Sequence, residues 1–594
     1  MAMDERDPMR WFELGVAHDS AGRVTDAAVS YQRAVELRPT FGEAWHNLGE
    51  ALIKLGNARA ASEAFTHALT LLRGRPEPSM GLSRALRIQG DVSGARAVLE
   101  ALAQERPDDP RVWNELGMLR REQGEVPAAI LAYRKALAAD LHNADAHHNL
   151  GNALVMKGDL SGAVSAYRNA LAERPGFVGA WLSQAVALSK LGRMPEAVAS
   201  CERAIALAPK QARAHLQLGQ VLSWSFDPAD LERAAECART AIVLDPARAD
   251  AHDLLCLVLR KLGRSDVAVA AGREAVRLAP REPQFRVDLA AALLEQGQAG
   301  AAVVALEPAV DVAPDHLVAW RELGIARLRS GDAAAGLKAL ARAAAIDPFD
   351  QTTTANRIVC LEMLGERAAA KALSGADRFV ARYTLAAPAG WADLATFNQA
   401  LASDIRAHPS LRYQPVGLAA RGGSLAQDLL SARTPAIEAF ERWLRERIAE
   451  FQGGLPRDAN HPFLRVLPHQ PQLWAWQLSM WATLLDGGGE IATHIHEESW
   501  LSGAYYVAVP EAVAADAADH AGWFEFGRPG YLLPGHEPEV GHVLPEPGLL
   551  ILFPSYLNHR TVPFSAAGQQ RISISFDLTP PGLVQQRRGY GGGG

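Results

Sequence analysis

The chain has 594 residues, several times the roughly 100 to 200 of one domain, which excludes a single compact core. Its 60 Lys and Arg against 67 Asp and Glu give a formal charge of -7, removing the global basic field of a protein held mainly on nucleic acid. Four unpatterned cysteines (Cys201, Cys237, Cys256, Cys360) fit a reducing cytoplasm, and the absence of an apolar leader or a run of about 18 apolar residues argues against secretion and membrane spanning.

From the N-terminus, the first pattern is a repeat. Gly22, Gly56, Gly90, Gly124, Gly158 and Gly192 fall 34 residues apart, and Gly263, Gly297, Gly331 and Gly365 resume the series after a step of 71. That step is two periods plus three, so the repeat near Trp224 to Asp230 carries a short insertion. Pro175, Pro209, Pro246, Pro280, Pro314 and Pro348 keep the same beat, and the apolar spacing between the marks is helical, as in Trp11, Leu14, Gly15 and His18 followed by Ala27, Tyr31 and Ala34. Each unit is predicted to be two antiparallel helices, with Gly at the turn and Pro closing the second.

The pattern W-x2-L-G, G, A-x3-Y-x2-A and P resembles the tetratricopeptide repeat family. Ten repeats are expected over 9–348, with a degenerate capping repeat in 349–380. A lone helix pair cannot bury its apolar face, so the resemblance implies a right-handed α-solenoid with a concave groove. By the same resemblance, residues nine before the turn glycines face that groove: Glu13, Asn47, Glu115, Asn149, Asp288, Glu322 and Asn356. This acidic-leaning ladder suits a peptide backbone or basic side chains; the alternative is a set of merely solvated helix positions. His147, His215 and His252 stand where Trp11, Trp45, Trp113, Trp181 and Trp320 stand in other repeats, and read as packing substitutes rather than metal ligands.

After about residue 380 the period vanishes. ALASDIRAH and AIEAFERWLRERIAEF keep apolar spacings of three and four, so 381–465 is expected as a helical lead-in. From Gln472 the segments LWAWQLSMWATLL, GEIATHIH, WLSGAYYVAV, GWFEF, GLLILF and RISISFDL read as strands separated by Gly and Pro. A sandwich or jelly roll is therefore expected over 466–583, followed by a flexible Gly-rich tail, 584–594. The whole is an α + β multidomain chain.

His494 and His496 lie two apart on a predicted strand, so both side chains leave one face and can converge on one ion. His559 follows the apolar strand Leu549 to Phe553, and Arg571 opens RISISF. Imidazole suits iron, copper, nickel or zinc, and three ligands on one face leave positions open; a guanidinium fork is the natural partner of a ligand carboxylate. His461, His469, His520, His536 and His542 are assigned structural or exposed roles. Trp481, Trp500 and Phe553 either line the pocket or belong to the core.

The order H-x-H-x2-S-x2-S-G-x-Y-Y, L-F-P-S-x3-H and R-I-S-I-S-F resembles the bacterial and phage branch of iron(II)- and 2-oxoglutarate-dependent oxygenases, closely over Leu473 to Leu578 and loosely over Trp391 to Gly454. The resemblance implies a double-stranded β-helix holding one iron through His494, His496 and His559. It places Arg571 with Ser573 at the far carboxylate of 2-oxoglutarate and gives Tyr506, or else Tyr505, a hydrogen bond to it. Most such enzymes carry H-x-D or H-x-E; here His496-Glu497-Glu498 also satisfies the latter, so Glu498 stays open as the alternative ligand. No Lys follows Lys371 and no Cys follows Cys360, so an arginine must serve as anchor and thiolate ligation is excluded in this region.

What the resemblance implies chemically is decarboxylation of 2-oxoglutarate with O2 to succinate and CO2, the oxidant being held on iron by the three histidines. A peptide-binding solenoid joined to such a domain points to hydroxylation of a protein or peptide side chain. Two other readings stay open: an oxygenase of a small molecule whose repeats bind a scaffold partner, and an inactive adaptor.

Overall fold

The computed structural model describes residues 6–225, 227–413, 419–466, 476–533, 535–566 and 568–580. His469 and the tail 584–594 lie outside them. Packing divides the chain into two compact units, Met1–Val221 and Leu222–Gly594, and the division falls at the repeat with the predicted insertion.

In the first unit the helices come in pairs of 13 or 14 residues, beginning with Pro8–Ser20 and Val24–Leu37. Asp7 starts the first helix by accepting the amide of Met9, with Pro8 in the first turn. Gly22 reverses the chain at φ +73°, a left-handed conformation that favours glycine. The two halves of the sequence pattern turn out to be one contact: a Cβ on Gly15 would lie 2.5 Å from the ring of Tyr31, and Gly117 meets Tyr133 in the same way at 2.6 Å. Leu-Gly on one helix thus makes room for Tyr on the next.

The second unit continues the pairs. Its first complete second helix, Pro228–Leu244, runs 17 residues and is capped by Asp227, which absorbs the insertion. Regular pairs follow to Leu317–Arg329 and Ala333–Ile346, and then Gln351–Met363 packs with a shortened Arg367–Ser374. The histidines that replace tryptophan behave as expected. Trp45, Trp113, Trp181 and Trp320 each donate the indole N–H to the carbonyl of the proline six residues earlier; His147, His215 and His252 place a ring nitrogen on the equivalent carbonyls of Leu141, Pro209 and Pro246.

The C-terminal part of this unit contains two antiparallel sheets. Its strands are β1 (Ala381–Thr384), β2 (Arg412–Tyr413), β3 (Ala420–Ala426), β4 (Gln477–Ile491), β5 (Leu501–Ala508), β6 (Phe524–Phe526), β7 (Gly541–Val543), β8 (Leu549–Pro554), β9 (His559–Thr561) and β10 (Arg571–Thr579). The larger sheet has the order β1-β8-β5-β10-β4-β3-β2 and the smaller β7-β6-β9, the jelly-roll pattern. Helices Leu394–Arg406 and Pro435–Gly454 pack on the larger sheet: the Tyr505 hydroxyl donates to Asn398 and its ring lies 4.7 Å from that of Phe440.

Two expectations are corrected. The lead-in is not all helical, because 381–426 supplies β1, β2 and β3 to the sheet. Gly422 sits at φ +67°, and a Cβ on Gly423 would lie 2.3 Å from the Leu484 carbonyl, so Arg421-Gly-Gly-Ser is a place of close backbone approach. Secondly, the strands predicted on either side of Gly487-Gly488-Gly489 are one strand, β4, whose glycines include Gly488 at φ +102°. Among the described residues no helix is long and apolar enough to cross a membrane.

Candidate metal centre

His494 and His496, expected on a strand, lie beyond the end of β4 at Ile491, where an isolated bridge takes the strand's place: the backbones of His494 and His559 pair in both directions at 3.1 and 3.0 Å. The His496 amide is held by the Ser555 carbonyl at 3.0 Å. The segment is thereby fixed to the turn between β8 and β9, and the metal-binding atoms of the three histidines lie within 4.8 Å of one another.

Their orientation follows from the other ring nitrogens. Nδ1 of His494 lies 2.8 Å from the Ala492 carbonyl, Nδ1 of His559 lies 2.9 Å from that of Leu557, and Nδ1 of His496 lies 2.6 Å from the Asp577 carboxylate. Those oxygens only accept, so each Nδ1 carries the proton and each Nε2 presents a lone pair. Nε2 of His494 and of His496 face each other at 3.2 Å, a repulsion between lone pairs that a cation relieves. Three imidazole nitrogens without oxygen donors suit iron, copper, nickel or zinc better than magnesium or calcium.

Burial, reinforced by His496, holds the His494 imidazole down to about 4, and burial together with its two histidine neighbours holds His559 well below its ordinary value. The rings of His494 and His559 are therefore neutral at pH 7. A group whose folded pKa lies below its unfolded value costs stability when the unfolded chain takes up the proton first. For His494 that window runs from the ordinary 6.5 down to about 4. The metal-free domain is expected to lose protection as pH falls through it; protection factors across 494–561, taken against the exchange rate of an unstructured chain at each pH, that stay constant from pH 7 to about pH 5 would contradict this.

Strand alternation builds the rest of the site. Arg571, Ser573, Ser575 and Asp577 of β10 face a cavity of about 770 Å³ between the two sheets, whereas Ile572, Ile574, Phe576 and Leu578 are buried in the main core. Tyr506 faces the cavity opposite Ser573; Tyr505 points to the helices, so of the two tyrosines Tyr506 is the one that lines the cavity. Arg571 is 2% exposed, donates Nη1 to the Gly522 carbonyl at 2.8 Å and lies 4.9 Å over the Tyr506 ring. Its Nε and the Tyr506 hydroxyl are buried with no well-formed hydrogen bond beyond their bearing on each other, a state that a carboxylate in the cavity would improve. These residues fit 2-oxoglutarate as the three imidazoles fit iron.

Trp481 lines the cavity and stacks on His496 at 5.5 Å, and Phe553 lines it from β8. Trp500 belongs to the core, donating to the Phe463 carbonyl. Glu498 is exposed and stands outside the histidine cluster. Glu497 lines the cavity and accepts a hydrogen bond from Thr352 at 3.1 Å. His461 contacts the Ala372 and Leu373 carbonyls, His536 pairs with Glu362, and His520 stacks on His542, which meets Glu525. Arg560, beside His559, is clamped with Arg528 on Glu525; burial opposes that charge most, yet the two arginines bring the carboxyl to about 2.

The ladder residues are dispersed. In the first unit Glu13 and Glu115 are partly exposed or exposed helix positions, Asn47 bears on Tyr31, and Asn149 donates to Asn114. In the second, Asp288 accepts from Gln284 and Glu322 pairs with Arg321. Asn356 is a correction. Its amide nitrogen bonds the Thr352 carbonyl and its oxygen accepts the hydroxyl of Tyr531, a residue of the β6–β7 connection that also lies under Arg329. Leu533 follows it into an apolar cluster with Leu328, Leu340 and Cys360. The chain itself fills that position.

Asp577, Ser502 and Ser555 were not singled out in the sequence. The two-residue period from Arg571 through Ser573 and Ser575 to Asp577 was the available signal.

Residues 479–577 match the family model described as "Putative 2OG-Fe(II) oxygenase", and tetratricopeptide repeat models match 30–61, 56–119, 117–158, 148–212, 229–283 and 287–351. The chain is a tetratricopeptide repeat array followed by a 2OG-Fe(II) oxygenase domain. The chain is similar to Protein FlbA of Caulobacter vibrioides, 26% identical over 146 residues, 25% of this chain and 24% of that protein. It is also similar to the anaphase-promoting complex subunit cut9 of Schizosaccharomyces pombe, 24% identical over 127 residues, 21% and 19% of the two chains. The chain thus spans about a fifth to a quarter of the length of these curated relatives. The crystal structure of yeast Tom70 aligns over 62% of this chain and 91% of its own at 15% identity and a TM-score of 0.32. The family of the oxygenase domain implies iron(II), 2-oxoglutarate and O2, and the repeats a protein-interaction module.

Proposed function

We propose that the chain is an iron(II)- and 2-oxoglutarate-dependent dioxygenase that hydroxylates a side chain of a protein or peptide held by its repeats. The observation that carries this reading is the Thr352 to Glu497 hydrogen bond. Thr352 belongs to the last, degenerate helix pair, and Glu497 follows His496 directly and lines the cavity. A polypeptide bound along the first helices of the second unit, past Asp288 and Glu322, would reach the rim of the cavity.

Bound iron(II) with 2-oxoglutarate supplies oxygen activation, with succinate and CO2 as coproducts. His494, His496 and His559 would hold the metal through Nε2. Arg571 and the Tyr506 hydroxyl would hold the far carboxylate of the cosubstrate beside Ser573, and Phe524, Phe553 and Trp481 give the cavity an apolar wall. Asn47, Glu115 and Asn149 in the first unit, and separately Asp288 and Glu322 in the second, are the proposed contacts to a polypeptide.

The test is anaerobic reconstitution of the full chain with iron(II), then O2 and 2-oxoglutarate with a polypeptide library. Succinate should form in step with the gain of one oxygen atom on a polypeptide. Equal coupling to a small molecule, with no polypeptide oxidised, would overturn the substrate assignment, and no metal-dependent consumption of 2-oxoglutarate would overturn the enzyme.

A further inference from the structure

We infer that Asp577 is a positioning residue for the metal, supplying through His496 the negative charge that the three-histidine set lacks. The inference rests on the iron reading above. Three neutral imidazoles bring no charge to a divalent cation. Asp577 Oδ1 lies 2.6 Å from His496 Nδ1, the short distance of a charge-assisted bond, so of the three donors His496 is the one backed by a carboxylate. His494 and His559 give their Nδ1 protons to backbone carbonyls instead.

The carboxylate is itself fixed in place. Ser502 Oγ donates to the same Asp577 oxygen at 2.7 Å, and Ser555 Oγ lies 2.8 Å behind Ser502. With the Ser502 proton on the carboxylate, Ser555 must donate to Ser502. The backbone carbonyl of Ser555 also receives the His496 amide, so one residue holds both ends of the arrangement. Ser499 adds a further hydrogen bond to Asp577. All three serines are at most 2% exposed, and they are the serines of H-x-H-x2-S-x2-S-G and L-F-P-S. Those motif positions, to which spacing alone gives no role, converge on one carboxylate that meets the metal site through His496. Such outer partners fix the orientation of a metal-bound imidazole and raise its basicity.

The experiment compares the full chain with Asp577→Asn, which keeps the shape and removes the charge. Metal-free protein is titrated anaerobically with iron(II), and the visible charge-transfer band of the iron(II) complex with 2-oxoglutarate is recorded. The expected result is about a 10- to 100-fold weaker affinity and a band moved to higher energy, since a poorer donor leaves the metal harder to oxidise. A merely structural role would leave the band in place, and an unchanged affinity and band overturn the inference. If Asp577→Asn does not fold, Ser502→Ala is read by the same band: a smaller shift in the same direction supports the inference and no shift overturns it. Failure of the unmodified chain to bind iron(II) would instead sink the iron reading itself.

Discussion

His559→Ala is expected to abolish tight iron(II) binding and, with it, all 2-oxoglutarate turnover. His559 is 7% exposed and holds the middle of the cluster, with its ring centroid 4.3 Å from that of His494 and 5.0 Å from that of His496. Its loss leaves two imidazoles from one short segment and no donor from the smaller sheet. Partners outside the ligand set are commonly worth 10- to 100-fold in metal affinity, and a ligand should exceed that. The His494–His559 pairing runs through backbone atoms, so the fold should survive. Iron titration followed by a succinate assay checks the point, and full activity would remove His559 from the set.

Arg571→Ala should act on the cosubstrate and leave the metal alone. A hydrogen bond to a charged group contributes about 1.5 to 3 kcal/mol, which is roughly ten- to hundred-fold in the KM for 2-oxoglutarate. Iron affinity without cosubstrate should not change. Arg571→Lys should recover part of the loss, because an ammonium keeps the charge but not the planar fork. The Tyr506 ring packed against the guanidinium restricts where that fork can point. An unaltered KM in the alanine variant would end the anchor assignment.

The period of 34 residues made the helix pairs legible because each repeat buries its apolar face against neighbours close in sequence. The histidine triad was legible because its members sit in short ordered motifs. What stayed hidden depends on distant pairing. Asp577 meets His496 only through the register of β10 against β5 and the turn before β9, and β3 is written in glycines that carry no apolar period. Asn356 has the right spacing for an open groove position, yet its occupant, Tyr531, is 175 residues away. Spacing locates a side chain on its helix and says nothing of what arrives from elsewhere.

That Tyr531 contact bears on how the molecule can be cut and recombined. A catalytic fragment beginning at the end of the periodic sequence would strand Tyr531 and Leu533 in solvent, separate Glu497 from Thr352, and take from His461 and Tyr556 the carbonyls of Ala372, Leu373 and Ser374 that they bond. A graft onto another array therefore has to carry Leu317 to Ser374 with it. The exchangeable part of the solenoid ends at least one full repeat before the periodicity does.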